Sequence, residues 1–209
     1  MKPGSLFDRI FGFLGQLIAL NLLWIVCSLP IITAGASTTA LFYCTLKLHK
    51  DGDIKAIHDF FKSFKQNFKQ STLVWLILLA IGILLGVDGY ALYHLRFENV
   101  FWTLITAVFI VAVIAYFIIL MYIFPLMSHF DNTIPAMFKN SLITGMRFLL
   151  CTVFMACIYF IMTVIIVRFL TPAIIFGEGF CALICSYLLS NIMKLLEDKQ
   201  SPEVSSTDT

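Results

Sequence analysis

Charge is what this 209-residue chain has least of: Asp, Glu, Lys and Arg make up 12% of it, against about a quarter in an ordinary soluble domain. That deficit excludes a soluble globular domain and a solvated disordered chain alike. The rest agrees, because 60% of the residues are hydrophobic, 21 are Phe, and the mean hydropathy is +0.95. Surface as well as interior must be apolar, so the expectation is an all-α, polytopic membrane protein.

Site motifs are missing too. No GxxxxGK[ST] occurs, which excludes a P-loop. There is no HExxH, and His49, His58, His94 and His129 are scattered. Gly12-Phe13-Leu14-Gly15 lacks the preceding strand and third glycine of a dinucleotide fingerprint. The six cysteines (Cys27, Cys44, Cys151, Cys157, Cys181, Cys185) form no CxxC and lie in apolar runs, which reads as core packing rather than disulfide or metal chemistry. No cofactor, no metal and no catalytic residue is therefore expected, and the chain is read as a non-enzyme. Basic residues sit at the ends of apolar runs, not in a patch interleaved with exposed aromatics, which argues against nucleic acid. The EAA-type coupling motif of ATP-binding-cassette permeases is absent. Ala34-Gly35-Ala36 mimics a cleavage site, but the run Ile10–Ile32 exceeds the roughly 7–15 residues of a signal-peptide core.

What is present is a series of membrane-length apolar runs. Spans are expected at 10–29, 31–50, 72–95, 101–127, 142–170 and 173–194, forming one domain over 1–198 with a disordered polar tail at 199–209. Pro30 separates the first two, and Ser37, Thr38 and Thr39 are good helix N-caps. Between Lys50 and Ser71, apolar residues recur at Ile54, Ile57, Phe61, Phe64 and Phe68, spacings of 3, 4, 3 and 4. This is one face of a helix over about 54–70, with Lys55, Lys62, Lys65 and Lys69 mostly off that face: an interfacial, cytoplasmic amphipathic helix. Gly82 and Gly86 make a small-xxx-small pair. Six spans with both termini inside place 12 of the 14 Lys and Arg in the cytoplasm, leaving Arg96 and Arg168 outside. With 31–50 not crossing, five spans result and the split weakens to 10 against 4. Phe68-Lys69-Gln70-Ser71 and Phe138-Lys139-Asn140-Ser141 stand 70 residues apart, an internal echo consistent with a parallel repeat.

Three segments carry a family likeness: LFDRIFGFLGQLIALNLLWIVCSLPIITAGASTTALFYCTLKL, DFFKSFKQNFKQSTLVW and YIFPLMSHFDNTIPAMFKNSL. The chain resembles the YesL-like family of small bacterial multi-pass membrane proteins over roughly residues 5–195. The resemblance implies no catalytic or binding residue, since that family has no established activity. It implies a plasma-membrane location and an accessory role beside sugar importers of the ATP-binding-cassette type or sensor kinases.

Three readings follow. In the first, a non-enzymatic accessory protein supports carbohydrate uptake or sensing. It docks a partner or lipid through Phe61, Lys62, Phe64, Lys65, Phe68 and Lys69, and its Pro30–Ser37 turn faces outward. In the second, an autonomous small-solute transporter or channel uses a polar path through Gln16, Asn21, Ser37, Thr38 and Asp88, with Pro30, Gly35 and Glu178 as further outer-face candidates. The third, an embedded enzyme, needs Asp88, Glu178 and His94 in one cluster.

Overall fold

A computed structural model of the chain describes residues 6–52, 54–94, 100–169 and 172–205, with side chains described for 12–52, 54–94, 100–164 and 177–195. Among these the chain is helical and has no strand: α1 (Leu6–Ser28), a 3₁₀ turn (Ile31–Thr33), α2 (Ala34–Asp51), α3 (Ala56–His94), α4 (Val100–Met127), α5 (Ile134–Arg147), α6 (Leu149–Phe169) and α7 (Pro172–Ser205).

Pro30 ends α1 as its sequence requires, adopting an extended conformation (φ −74°, ψ 112°). Thr33 then closes the corner, its Oγ1 donating to the Cys27 and Pro30 carbonyls at 2.6 and 2.9 Å. The hydroxyls of Ser37, Thr38 and Thr39 do not cap the start of α2. They lie inside the helix and donate backward to the Thr33, Ala34 and Gly35 carbonyls. Their hydrogen-bonding needs are met locally, which leaves α2 a narrow face of small residues. Gly52, at φ +74°, ends α2 with its N–H on the Leu48 carbonyl, a conformation that disfavours any Cβ.

The expected interfacial helix and third span are one continuous element. With no Gly or Pro between Ala56 and Ile81, α3 runs 39 residues, about 58 Å, nearly twice the roughly 30 Å hydrocarbon thickness. Only part of it can lie in a bilayer. Much of the apolar face expected to meet lipid or a partner is exposed, and a different face is buried. Asp59, Phe60, Ser63, Ser71, Val74 and Leu78 are buried, whereas Ile57, Phe61 and Phe68 are exposed.

That polar face meets the small-residue face of α2. Lys47 Nζ pairs with Asp59 Oδ2 at 2.8 Å, the Thr39 and Ser71 hydroxyls lie 3.0 Å apart, and Gly35 abuts Trp75. Hence α2 runs antiparallel along Asp59–Trp75, not along 76–94. The outer half of α3 pairs instead with α4: the Tyr116 hydroxyl donates to the Leu78 carbonyl, and Gly89 sits against Phe109. A span at 31–50 standing level with one at 72–95 is thus replaced by an axial offset. Of the small-xxx-small pair, Gly82 meets Tyr116 while Gly86 faces open space.

Two further expectations change. The region 128–141 is not a loop throughout, because α5 occupies Ile134–Arg147, with Pro135 in its first turn, where a missing N–H costs nothing. The fifth span does not begin at 142: Phe148 leaves the helical region (φ −111°, ψ 50°), and α5 and α6 meet at 98°. At the other end α7 begins at Pro172 and stays helical to Ser205, through the first part of the expected tail.

Three helices, Ile31–Asp51, Ala56–His94 and Val100–Met127, are each long and apolar enough to cross a membrane, and the bent α5–α6 pair makes a fourth if counted as one span. Six are not found among the described residues. The spans expected at 10–29 and 173–194 include residues whose side chains lie outside that set. The α3–α4 hairpin exposes Ile83, Leu84, Val87, Phe101, Leu104, Val108 and Val111. Such a continuous apolar surface is compatible with lipid and untenable in water.

Candidate functional site

Two constellations emerge, at different levels of the molecule. The first is basic. Where α1 approaches the start of α3, a groove of about 890 Å³ opens between Gly12, Gly15, Gln16 and Ala19 on one wall and Lys55 to Lys65 on the other. Gly12 and Gly15 leave the first wall low, with nothing within 4 Å of where a side chain would begin. Ile57 and Phe61 form the exposed apolar lining, and Lys55, His58, Lys62 and Lys65 supply the polar rim. Phe60 and Phe64 stack along α3 at a centroid distance of 6.2 Å and Phe68 lies tilted against Phe64 at 5.4 Å, so Phe64 and Phe68 continue from the buried Phe60 toward the surface. Lys69 is exposed one turn beyond Lys65. A second cleft, of about 580 Å³, gathers Lys47, His49, Lys50, His129 and Lys194.

Asp59 anchors this end. Burial alone would raise its carboxyl, but hydrogen bonds from Lys47 and His58 hold it below the usual carboxylate range. It therefore stays ionised on the buried face of α3 and fixes the register of α2 there. No sequence signal singled it out, because an acid in a Lys-rich helix reads as solvated.

The second constellation lies between α2, α3, α4, α6 and α7. The chain bends by 98° at Phe148, and α6 beyond the bend lines a cavity of about 480 Å³. Half of its lining is aromatic (Phe42, Trp75, Phe117, Phe124, Tyr159, Phe160), with Thr38, Thr163 and Glu178 as polar members and aliphatic side chains making up the rest. Thr38 is already engaged, since its Oγ1 accepts from Trp24 Nε1 at 3.1 Å and donates to Ala34. The Trp75 indole donates to the Ile31 carbonyl at 2.7 Å, and Thr163 donates to the Tyr159 carbonyl. Glu178 is placed by the residue after it: the Gly179 N–H donates to Asn21 Oδ1 at 2.8 Å, so α7 is clamped to α1. Asn21 is fully buried, and its Nδ2 has no partner among the described residues.

The candidate residues thus separate. Thr38 and Glu178 share the aromatic cavity, and Asn21 stands behind Glu178 through Gly179. Ser37 is buried and bonded to its own helix, Gly35 is a packing contact, and Pro30 is exposed at the α1–α2 corner. Asp88 is exposed in a separate cleft with Leu85, Trp102 and Phe109, about 20 Å along α3 from Trp75. His94 lies at the end of α3, so Asp88, His94 and Glu178 do not form one cluster. Tyr159, Trp75 and Phe124, central to the cavity, carry no sequence signal beyond being aromatic in apolar runs.

Comparison with curated proteins and with solved structures gives no match. Residues 17–89, about a third of the chain, match the model of a family described as a protein of unknown function, DUF624. The matched stretch runs from the second half of α1 through α2 to Gly89 of α3, and so contains the α2–α3 register and most of the basic groove.

Proposed function

We propose that this is a non-enzymatic integral membrane accessory protein, a YesL-like member of the matched family. In this reading the groove between α1 and α3 receives an acidic amphipathic segment of a partner. One observation carries it: α3 is a single rod joining a lipid-compatible half to a half bearing exposed Phe61, Lys62, Lys65, Phe68 and Lys69. A helix continuous across that junction transmits a contact on its basic end to the apolar end as a rigid displacement. An apolar floor with a cationic rim is complementary to an amphipathic helix carrying Asp or Glu on its flanks.

In this proposal the chain resides in a bacterial plasma membrane. The α3–α4 hairpin crosses the bilayer, and both termini and the basic end lie in the cytoplasm, in keeping with the positive-inside distribution. The partner is a sugar importer of the ATP-binding-cassette type or a sensor kinase, a role that rests on the YesL-like resemblance. The alternative, an autonomous small-solute transporter, needs a polar path through Gln16, Asn21, Ser37, Thr38 and Asp88. The accessory reading is favoured because the Ser37 hydroxyl and the Asn21 Oδ1 are engaged in internal hydrogen bonds and Asp88 stands apart.

The test is charge reversal. Lys62, Lys65 and Lys69 are exposed, so Lys62→Glu with Lys65→Glu and Lys69→Glu should leave folding intact. Recovery of the co-purifying complex from native membranes in gentle detergent should drop by roughly tenfold or more. Undiminished recovery would remove the groove as the docking surface.

A further inference from the structure

Glu178 is an acid in an aromatic cavity with no cation beside it among the described residues: no Lys, Arg or His of that set lines the space. The Thr38 and Thr163 hydroxyls and the Trp75 indole already donate to backbone carbonyls, and the Tyr159 hydroxyl is hydrogen-bonded to Cys185. Placing a carboxyl there is costly unless something compensates it, because a charge in an apolar lining loses its hydration. The clamp behind it is built in. The Asn21 side chain holds the Gly179 N–H, and a Cβ at Gly179 would lie 2.8 Å from Asn21 Nδ2, so α7 can approach α1 this closely only with glycine there.

We propose that this cavity is a binding site for a lipophilic organic cation. The volume of about 480 Å³ suits a drug-sized molecule. The ring faces of Phe42, Trp75, Phe117, Phe124 and Phe160 carry the negative side of the aromatic quadrupole, and together with a carboxylate they attract a cation that is poorly hydrated. A hydrophilic cation would lose its hydration shell in such a lining without replacement. An anion would meet Glu178 with no donor to offset it. Exposure of Phe117 and Phe160 leaves the mouth between α4 and α6 open for lateral entry from an apolar phase. This site is independent of the basic groove, and it stands if partner docking fails.

The experiment compares two near-isosteric probes of opposite charge, tetraphenylphosphonium and tetraphenylborate. Each is measured by equilibrium dialysis against the full chain in nanodiscs, with empty nanodiscs subtracted. Saturable binding of the phosphonium alone is expected. Glu178→Gln should weaken it by about tenfold or more, and Phe117→Leu, which keeps bulk but removes a ring, by several-fold. Equal binding of both probes, or phosphonium binding unchanged in both variants, would overturn the proposal and leave only an apolar crevice. Arg168, whose side chain lies outside the described set, supplies a further arm. Phosphonium binding that appears only in Arg168→Gln would also overturn it, since an internal ion pair would then fill the site.

Discussion

Gly35→Leu should abolish accumulation of folded protein in membranes, whereas Gly86→Ala, on the outer half of α3, should be tolerated. A first side-chain atom at Gly35 would lie 2.5 Å from Trp75 Cβ and 2.7 Å from the Ser71 carbonyl oxygen. Neither obstacle is the free end of a flexible side chain, so α2 and α3 would have to separate. Separation opens the Thr39–Ser71 hydrogen bond and strains the Lys47–Asp59 pair further along the same seam. Overpacking at such a contact typically costs about 1–3 kcal/mol for a small group, and a four-carbon side chain exceeds that range. Gly35→Ala should therefore give an intermediate, measurable loss. Gly86 has nothing within 4 Å, which makes it the matched control. Monodispersity after detergent extraction, followed by a thermal-shift comparison, reads all three. A Gly35→Leu variant as stable as the parent would mean that α2 does not pack on α3 in this register.

Thr152→Val should straighten or loosen the α5–α6 bend, at a cost of roughly 2–3 kcal/mol, for a change that conserves volume. Thr152 is buried and its hydroxyl sits at a junction. It donates toward the Gly145 and Phe148 carbonyls at 2.9 and 3.1 Å, and the Tyr122 hydroxyl lies 2.9 Å away. Phe148 has left the helical region, so the Gly145 carbonyl needs this substitute partner. Valine removes the donor, strands that carbonyl and takes one of two partners, Thr152 and Cys151, from the Tyr122 hydroxyl. Because the bend shapes the aromatic cavity, the variant should also lose phosphonium binding while retaining partner docking. Spin labels placed on α4 and α6 would show the altered separation; an unchanged distance distribution together with unchanged stability would mean the bend is held by other contacts.

The two predictions also show where sequence patterning carries and where it stops. Mean hydropathy and run length identify the apolar helices, and Pro30 and Pro172 locate two of the breaks correctly. Hydrophobic spacing in 54–70 points to Phe61 and Phe68 as an outward, lipid- or partner-facing side, and both are exposed, but it says nothing of the seam with α2, which Asp59 and Ser71 make. The reason is complementarity. A neighbour offering Gly35, Thr39 and Lys47 rewards small and polar residues, which an apolar period cannot reveal. The same limitation hides the two halves of the internal echo. Phe68–Ser71 lies within the unbroken α3, while Phe138–Ser141 lies in α5, about two turns before a sharp bend set by tertiary contacts. Glu178 is visible in the sequence as an isolated acid, but its aromatic surroundings come from four other helices.

The register of α2 on the basic half of α3 underlies both the groove and the placement of that half outside the lipid-compatible hairpin. It is open to direct measurement by paired cysteines in native membranes. The hydroxyl oxygens of Thr39 and Ser71 are 3.0 Å apart, so Thr39→Cys with Ser71→Cys should close readily under mild oxidation, with the cross-linked peptides identified by mass spectrometry. If α2 stood level with the third apolar run, Thr39→Cys would instead pair with Gly86→Cys. Efficient closure of the first pair and none of the second is the predicted result; the reverse would contradict the account.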